Sequence, residues 1–161
     1  MYYGETHLDF LELGIVPQSS RNLGQTITPD TPVAQRRLAN GDLKDRSRPS
    51  LRKYRSTITF GDTYPPAFDG LWSGAILTTH NAAELSGDAG KPFSRPHVPG
   101  SVIWRDANGD IVPSGADEAV APQGATNYTY RPIIVWMVGE WDIDHDEWGA
   151  MVSATLNLRE V

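Results

Sequence analysis

The sequence predicts a mainly β protein, an antiparallel sandwich or barrel with long Pro/Gly-rich loops and little helix. Three observations carry this. Tyr128 to Val161 holds a β-branched and aromatic run followed by a strictly alternating one, the patterns of strands with a buried side. Two Asn-Gly dipeptides, Asn40-Gly41 and Asn108-Gly109, each separate short extended segments, as hairpin turns do. Fifteen glycines and 12 prolines punctuate a chain with few helical periodicities, which favours turns and loops between short strands.

In chain order, Leu8 to Ile15 fits a short strand or a turn of helix about equally. Residues 16–32 are rich in Pro, Ser, Asn, Gly and Thr and are expected to form an extended arm or loop. Arg36 to Asp45 reads as a hairpin, its Asn-Gly suited to the positive φ angles of a type I′ turn. Leu51 to Phe60 places Tyr54, Ile58 and Phe60 on one side and Lys53, Arg55, Thr57 and Thr59 on the other, a half-buried strand with a basic outer edge. In GDTYPPAFDGLWSG, residues 61–74, Pro65-Pro66 removes ladder donors while Phe68, Leu71 and Trp72 require burial. An aromatic-anchored loop satisfies both. Ala75 to Leu85 reads as a strand, 86–100 as a loop, Val102 to Val112 as a second Asn-Gly hairpin, and 113–127 as small, polar and mobile. Tyr128 to Trp141 and Trp148 to Leu158 complete a long hairpin joined by a charged connection, with Trp148, Ala150, Val152, Ala154, Leu156 and Leu158 on one face.

A chain of 161 residues is expected to form a single domain, 1–161, with an adequate core of its own. It contains no cysteine, which removes disulfides and thiolate metal sites. No segment approaches the roughly 20 apolar residues of a membrane helix, and Met1 to Glu5 lacks the basic and apolar regions of a signal peptide. A soluble protein made in a cytoplasm is expected. The net charge of −6 conceals a split: residues 1–60 carry nine Lys/Arg against six Asp/Glu, and residues 61–161 carry five against 14. Opposite halves of this kind help subunits meet head to tail.

The motifs offer little chemistry. Asp142, Asp144 and Asp146 alternate in DIDHDEW beside Glu140 and Glu147, but a calcium loop starting at Asp142 needs glycine and glutamate where Glu147 and Ser153 stand. Asp106, Asn108 and Asp110 are explained by turn chemistry. Gly70-Leu71-Trp72-Ser73-Gly74 has its serine one place late for a nucleophile elbow. His7, His80, His97 and His145 form no zinc-binding grouping, and Gly87-Asp88-Ala89-Gly90-Lys91 runs into Pro92 rather than the Ser or Thr of a phosphate loop. Acid–base work at Asp144, His145 and Asp146 is the weak enzyme reading. No catalytic residue, cofactor or metal is assigned. The run from Arg36 to Arg55 holds eight Lys/Arg, but Asp42 and Asp45 interrupt it and Tyr54 is its one aromatic. An acidic protein neighbour therefore suits it better than nucleic acid.

Several stretches taken together carry a resemblance: Leu8 to Gly14 with Ser19 to Thr26; Arg52 to Thr59 with Pro65 to Gly74; and Tyr130-Arg131-Pro132 with Asp146-Glu147-Trp148. These stretches hold 39 of the 161 residues, and the resemblance they carry extends over about two-thirds of the chain. The chain resembles small structural proteins of tailed bacteriophages, minor components of the tail or its tip. The resemblance implies a β-rich virion subunit, made in the host bacterial cytoplasm, that works in a ring or repeated copies and touches other virion proteins and itself. On that footing Arg36, Arg37, Arg52, Lys53 and Arg55 are expected to face an acidic neighbour, such as Glu140, Asp142, Asp144, Asp146 and Glu147 of the next copy. Trp136, Trp141 and Trp148 are expected to anchor the core or an intersubunit seam, and Trp72 to pack with Phe68 and Leu71. The alternative is a stand-alone β-sandwich ligand- or carbohydrate-binding module using Trp72 or Trp104 as a stacking platform.

Overall fold

The computed structural model describes residues 7–14, 16–30 and 34–161. The expectations at Met1 to Glu5, Ile15, Thr31 and Pro32 lie outside these. Within them the protein is mainly β, 46% strand and 2% helix, and its principal element is a curled antiparallel sheet, a half-barrel.

The strands, in chain order, are β1 (Asp9–Phe10), β2 (Asn22–Pro29), β3 (Gln35–Arg37), β4 (Leu43–Asp45), β5 (Tyr54–Asp62), β6 (Ile76–His80), β7 (Leu85–Asp88), β8 (Ile103–Arg105), β9 (Ile111–Val112), β10 (Asn127–Tyr130), β11 (Ile133–Asp146) and β12 (Met151–Glu160). The half-barrel has the order β1-β6-β11-β12-β5-β2; a smaller sheet runs β7-β10-β8-β9; among the described residues β3 and β4 pair only with each other.

The long β11–β12 hairpin is central, as expected. Its partners differ along its length. β12 pairs with β5 from Asp62 opposite Val152 to Arg55 opposite Arg159, whereas β6 covers β11 only from Ile133 to Met137. The hollow of the curl is filled by Ile58, Phe60, Leu77, Ile134, Trp136, Val138, Ala154, Leu156 and Leu158, with Leu8, Phe68 and Leu71 plugging it from the N-terminal segment and the 63–75 loop. A second cluster, Val102, Trp104, Tyr128 and Tyr130 with Phe93 against it, lies under the small sheet. There the Phe93 ring stacks on Tyr130 with centroids 4.5 Å apart. Gly87, opposite Tyr128, leaves room for that tyrosine's ring: a Cβ there would meet its Oη at 2.5 Å.

The curl brings distant strands together through a buried polar network. Gln25 of β2 donates to Asn81 Oδ1 at 2.5 Å and accepts from the backbone N–H groups of Ala82 and Ala83. Thr79 donates to the same Asn81 oxygen, and Trp136 Nε1 donates to Thr79 at 2.7 Å. Among the described residues no buried side-chain nitrogen or oxygen lacks a partner, so these groups do not incur the cost of unsatisfied burial.

Several expectations need correction. The proposed arm at 16–32 contains β2, an eight-residue strand whose Leu23, Gln25 and Ile27 face Phe60, Ile58 and Ser56; alternation was hidden by its glycine, glutamine and threonines. The Leu8–Ile15 strand shrinks to two residues, β1. The predicted strand from Ala75 to Leu85 is two: β6 ends at His80 and β7 enters the other sheet. Likewise Tyr128 to Trp141 is broken at Arg131-Pro132, because proline has no N–H for the ladder; β10 belongs to the small sheet and β11 to the half-barrel.

Both Asn-Gly hairpins form, with a different turn. Positive φ occurs at Gly41 (88°) and Gly109 (90°), and neither Asn40 nor Asn108 shares it. In each, the glycine N–H bonds back three residues, Gly41 to Leu38 and Gly109 to Asp106. This is the three-residue loop with a left-handed glycine, not the two-residue type I′ turn.

Two core assignments fail within this chain. Trp72 is 78% exposed and Trp148 is 93% exposed. Leu71 N–H bonds Phe68 O and Ala75 N–H bonds Trp72 O, so successive tight turns send Leu71 inward and leave Trp72 at a corner. Trp148 lies in the four-residue turn beyond Asp146 opposite Met151, where among the described residues no facing strand covers it. Trp136, by contrast, is fully buried, and half-buried Trp141 packs against the core while donating from Nε1 to Leu71 O at 2.7 Å.

Candidate interaction surfaces

The acidic stretch is strand, not connection. The register of β11 against β12 slips between Val138 and Trp141: Val138 faces Leu158, but Trp141 faces Leu156. Three residues on β11 thus span two on β12, a β-bulge. Its sequence signal is Gly139 in the strand, where a Cβ would press on Asn157 O at 3.3 Å.

The bulge reverses which residues face the hollow. Before it the even positions Ile134, Trp136 and Val138 are buried. After it Trp141, Ile143 and His145 lie opposite Leu156, Ala154 and Val152, while Asp142, Asp144 and Asp146 lie opposite Thr155, Ser153 and Met151 on the outer face. An uninterrupted alternation would have turned all three aspartates inward. Every residue from Asp142 to Ala150 is exposed.

Asp142, Asp144 and Asp146 stand at alternate strand positions, about 7 Å apart along the backbone. Among the described residues no group of three His, Cys, Asp or Glu is placed to hold a metal. Asp142 accepts from the Thr155 backbone N–H at 3.0 Å and Asp146 from that of Trp148 at 3.1 Å; both act locally on their own hairpin. Glu140 sits at the bulge and Glu147 in the turn.

The five basic candidates do not form one patch. Arg36 and Arg37 stand on β3, whose residues are all exposed. Arg52 and Lys53 line a groove of about 510 Å³ between the base of the β3–β4 hairpin and Tyr54 and Arg95; Lys53 Nζ donates to the Val161 carbonyl at 2.8 Å. Arg55 is on the outer face between Thr28 and Arg159.

Two ion pairs fasten opposite ends of the half-barrel. At the hairpin end, Arg95 makes a forked contact with Glu160, Nη2 to Oε2 at 2.8 Å, and lies 5.1 Å over the Tyr54 ring. At the acidic end, the Arg21 backbone N–H and guanidinium and the Thr63 N–H all donate to Asp62. The Arg21 guanidinium, and with it those backbone donors, holds the Asp62 carboxyl well below the usual carboxylate range. Neither pair was visible in the sequence, because the partners are 65 and 41 residues apart.

No family model matches the chain, and the searches of curated proteins and of solved structures likewise found no significant match. Among the described residues no helix is long and apolar enough to cross a membrane.

The outer face of β2, β5 and β12 is a grid of small polar side chains. Thr26, Thr57 and Asn157 form one cross-strand row, and Thr59 and Thr155 lie together in the next. A groove of about 650 Å³ crosses this face between Thr28, Arg55, Thr57, Asn157, Arg159 and Glu140, with Ser73 at its rim. Trp104 is 2% exposed, its Nε1 bonded to Glu118 O. It is therefore no stacking platform; Trp72, beside Ser73, has the exposure for one.

Proposed function

We propose that this protein is a structural subunit of a tailed-phage virion, in the tail, tail tip or neck, built on a sandwich- or barrel-like β core and working through subunit contacts in a symmetric assembly. The observation that carries this is the placement of opposite charge. Exposed Arg36, Arg37 and Lys44 stand on a hairpin rooted where β5 begins, and exposed Asp142, Asp144 and Asp146 stand where β5 ends. Copies joined basic end to acidic end form a heterologous contact, which closes into a ring or extends as a filament. The exposed Trp148 beside the acids suits the partly apolar centre of such a contact. Host cytoplasm is then the site of synthesis and the particle the destination.

Light scattering and negative-stain imaging of the purified protein test this, with rings or filaments expected. Arg36→Glu with Arg37→Glu should reduce the assembled fraction and particle incorporation while Tm stays the same. Unchanged assembly and incorporation would sink the proposal.

The grid of threonines, the groove and exposed Trp72 favour one second reading, a glycan-binding face, since sugars stack on aromatic rings and exchange hydrogen bonds with hydroxyl and amide groups. A protein that stays monomeric and shows Trp72-dependent fluorescence changes with glycans would select it.

A further inference from the structure

We propose that the seam between copies is a continuous β-sheet: strand β4 of one copy adds to the open edge of β11 of the next, from Asp142 to Asp146. This docking mode rests on the assembly reading above and specifies its contact.

Two incomplete pieces of sheet motivate it. β12 borders β11 as far as Asp146, but β6 stops at Met137, and Ala75 and Gly74 take up the backbone groups of Val138. Among the described residues no strand lies against the other side of Asp142 to Asp146. Such an edge presents a row of free N–H and C=O groups. The second piece is the β3–β4 hairpin, which joins neither larger sheet. All its strand residues are exposed, Leu43 at 57%, and the chain is half-buried only at its base, at Ala34 and Ser47. A lone two-stranded hairpin is marginal in water and gains from a third strand.

The side chains of the two edges match on both faces. Along β11 the aspartates project from the outer face and Ile143 from the inner. On the hairpin Arg36 and Lys44 share one face, and Arg37 and Leu43 the other. Setting Leu43 across from Ile143 sets Lys44 across from Asp144 if the strands run parallel, and across from Asp142 if antiparallel. Arg36 then lies one strand further along the same acidic face. Directly opposed opposite charges and apolar pairs are the contacts that stabilise neighbouring strands, and the same acids repel pairing of two β11 edges with each other. The occupant is a second copy for a geometric reason. The hairpin is rooted beside Tyr54, and the acidic edge runs from Asp142, level with Thr155 and Thr59, to Asp146, one residue past Asp62, about 17 to 30 Å away along β5 at the usual rise per residue, with β12 between.

The absence of cysteine makes the test direct. Lys44→Cys protein is mixed with Asp144→Cys or Asp142→Cys protein and oxidised, with Thr57→Cys as the control partner; amide hydrogen exchange is measured on the wild-type assembly. One aspartate position should give several-fold more mixed dimer than the control, and amides of 142–146 and 43–45 should be protected only in the assembly. Lys44→Glu should weaken association about tenfold or more, and Asp142→Lys with Asp144→Lys should restore it. Assembly without the cross-link or protection would overturn strand addition and leave the assembly reading standing. A wild-type protein that stays monomeric at every concentration would overturn both.

Discussion

The two halves of β11 have the same secondary structure and opposite fates. From Ile133 to Val138 the strand lies between β6 and β12, with Ile134, Trp136 and Val138 in the hollow. From Asp142 to Asp146 it has β12 on one side, and even its inward-facing Ile143 and His145 remain exposed. The difference is cover, not strand propensity. β6 begins at Ile76, opposite Met137, so it covers β11 no further, and β5 reaches Asp62, opposite Val152. A bulge at Gly139 and Glu140 divides the halves and turns acids that would have faced inward toward solvent. The first half therefore holds the fold, while the second is free to meet another molecule.

Substitutions in each half should separate these roles. Trp136→Ala removes a fully buried ring and its bond to Thr79; a loss of about 3–5 kcal/mol is expected, visible as a large fall in the midpoint of denaturant unfolding. Gly139→Val adds bulk against the Asn157 carbonyl at the bulge and should cost about 1–3 kcal/mol, with shifted NMR signals from Trp141 to Asp146 showing whether the acidic half loses its register. Asp62 marks the end of cover by β5. Because its folded-state pKa is depressed by Arg21, its contribution is present above the ordinary carboxylate value near 3.9 and is lost as pH falls toward the depressed one. Asp62→Asn should therefore lower stability at neutral pH and flatten the wild-type decline below about pH 4, measured by thermal melts across pH. At the far end, Trp148→Ala should change monomer stability by no more than about 0.5 kcal/mol, checked by thermal melts on the dissociated protein, while reducing assembly.

Much of this contrast was legible in the sequence. Alternation located β5 and β12, Asn-Gly marked both short hairpins, and the β-branched run at Ile133 to Val138 identified the strand that became the core. The acidic run was legible as charge but not as strand, because alternating aspartates resemble a solvated loop until a partner strand supplies the ladder. The bulge left one clue, Gly139. Trp72 and Trp148 misled for a simple reason: a large apolar side chain is buried only where the backbone turns it inward. β2 was missed because its hollow-facing row includes Gln25, whose burial depends on Asn81, Ala82 and Ala83, at least 56 residues away.

By itself the sequence determined the β class, the separation of basic and acidic charge, and the long C-terminal hairpin, all of which follow from local periodicity and composition. Only the tertiary structure decided where that hairpin is covered, which face its aspartates take, and that the β3–β4 hairpin stands apart. Those outcomes depend on which strands end where and on one inserted residue, and contacts between segments far apart in the chain carry no local signature.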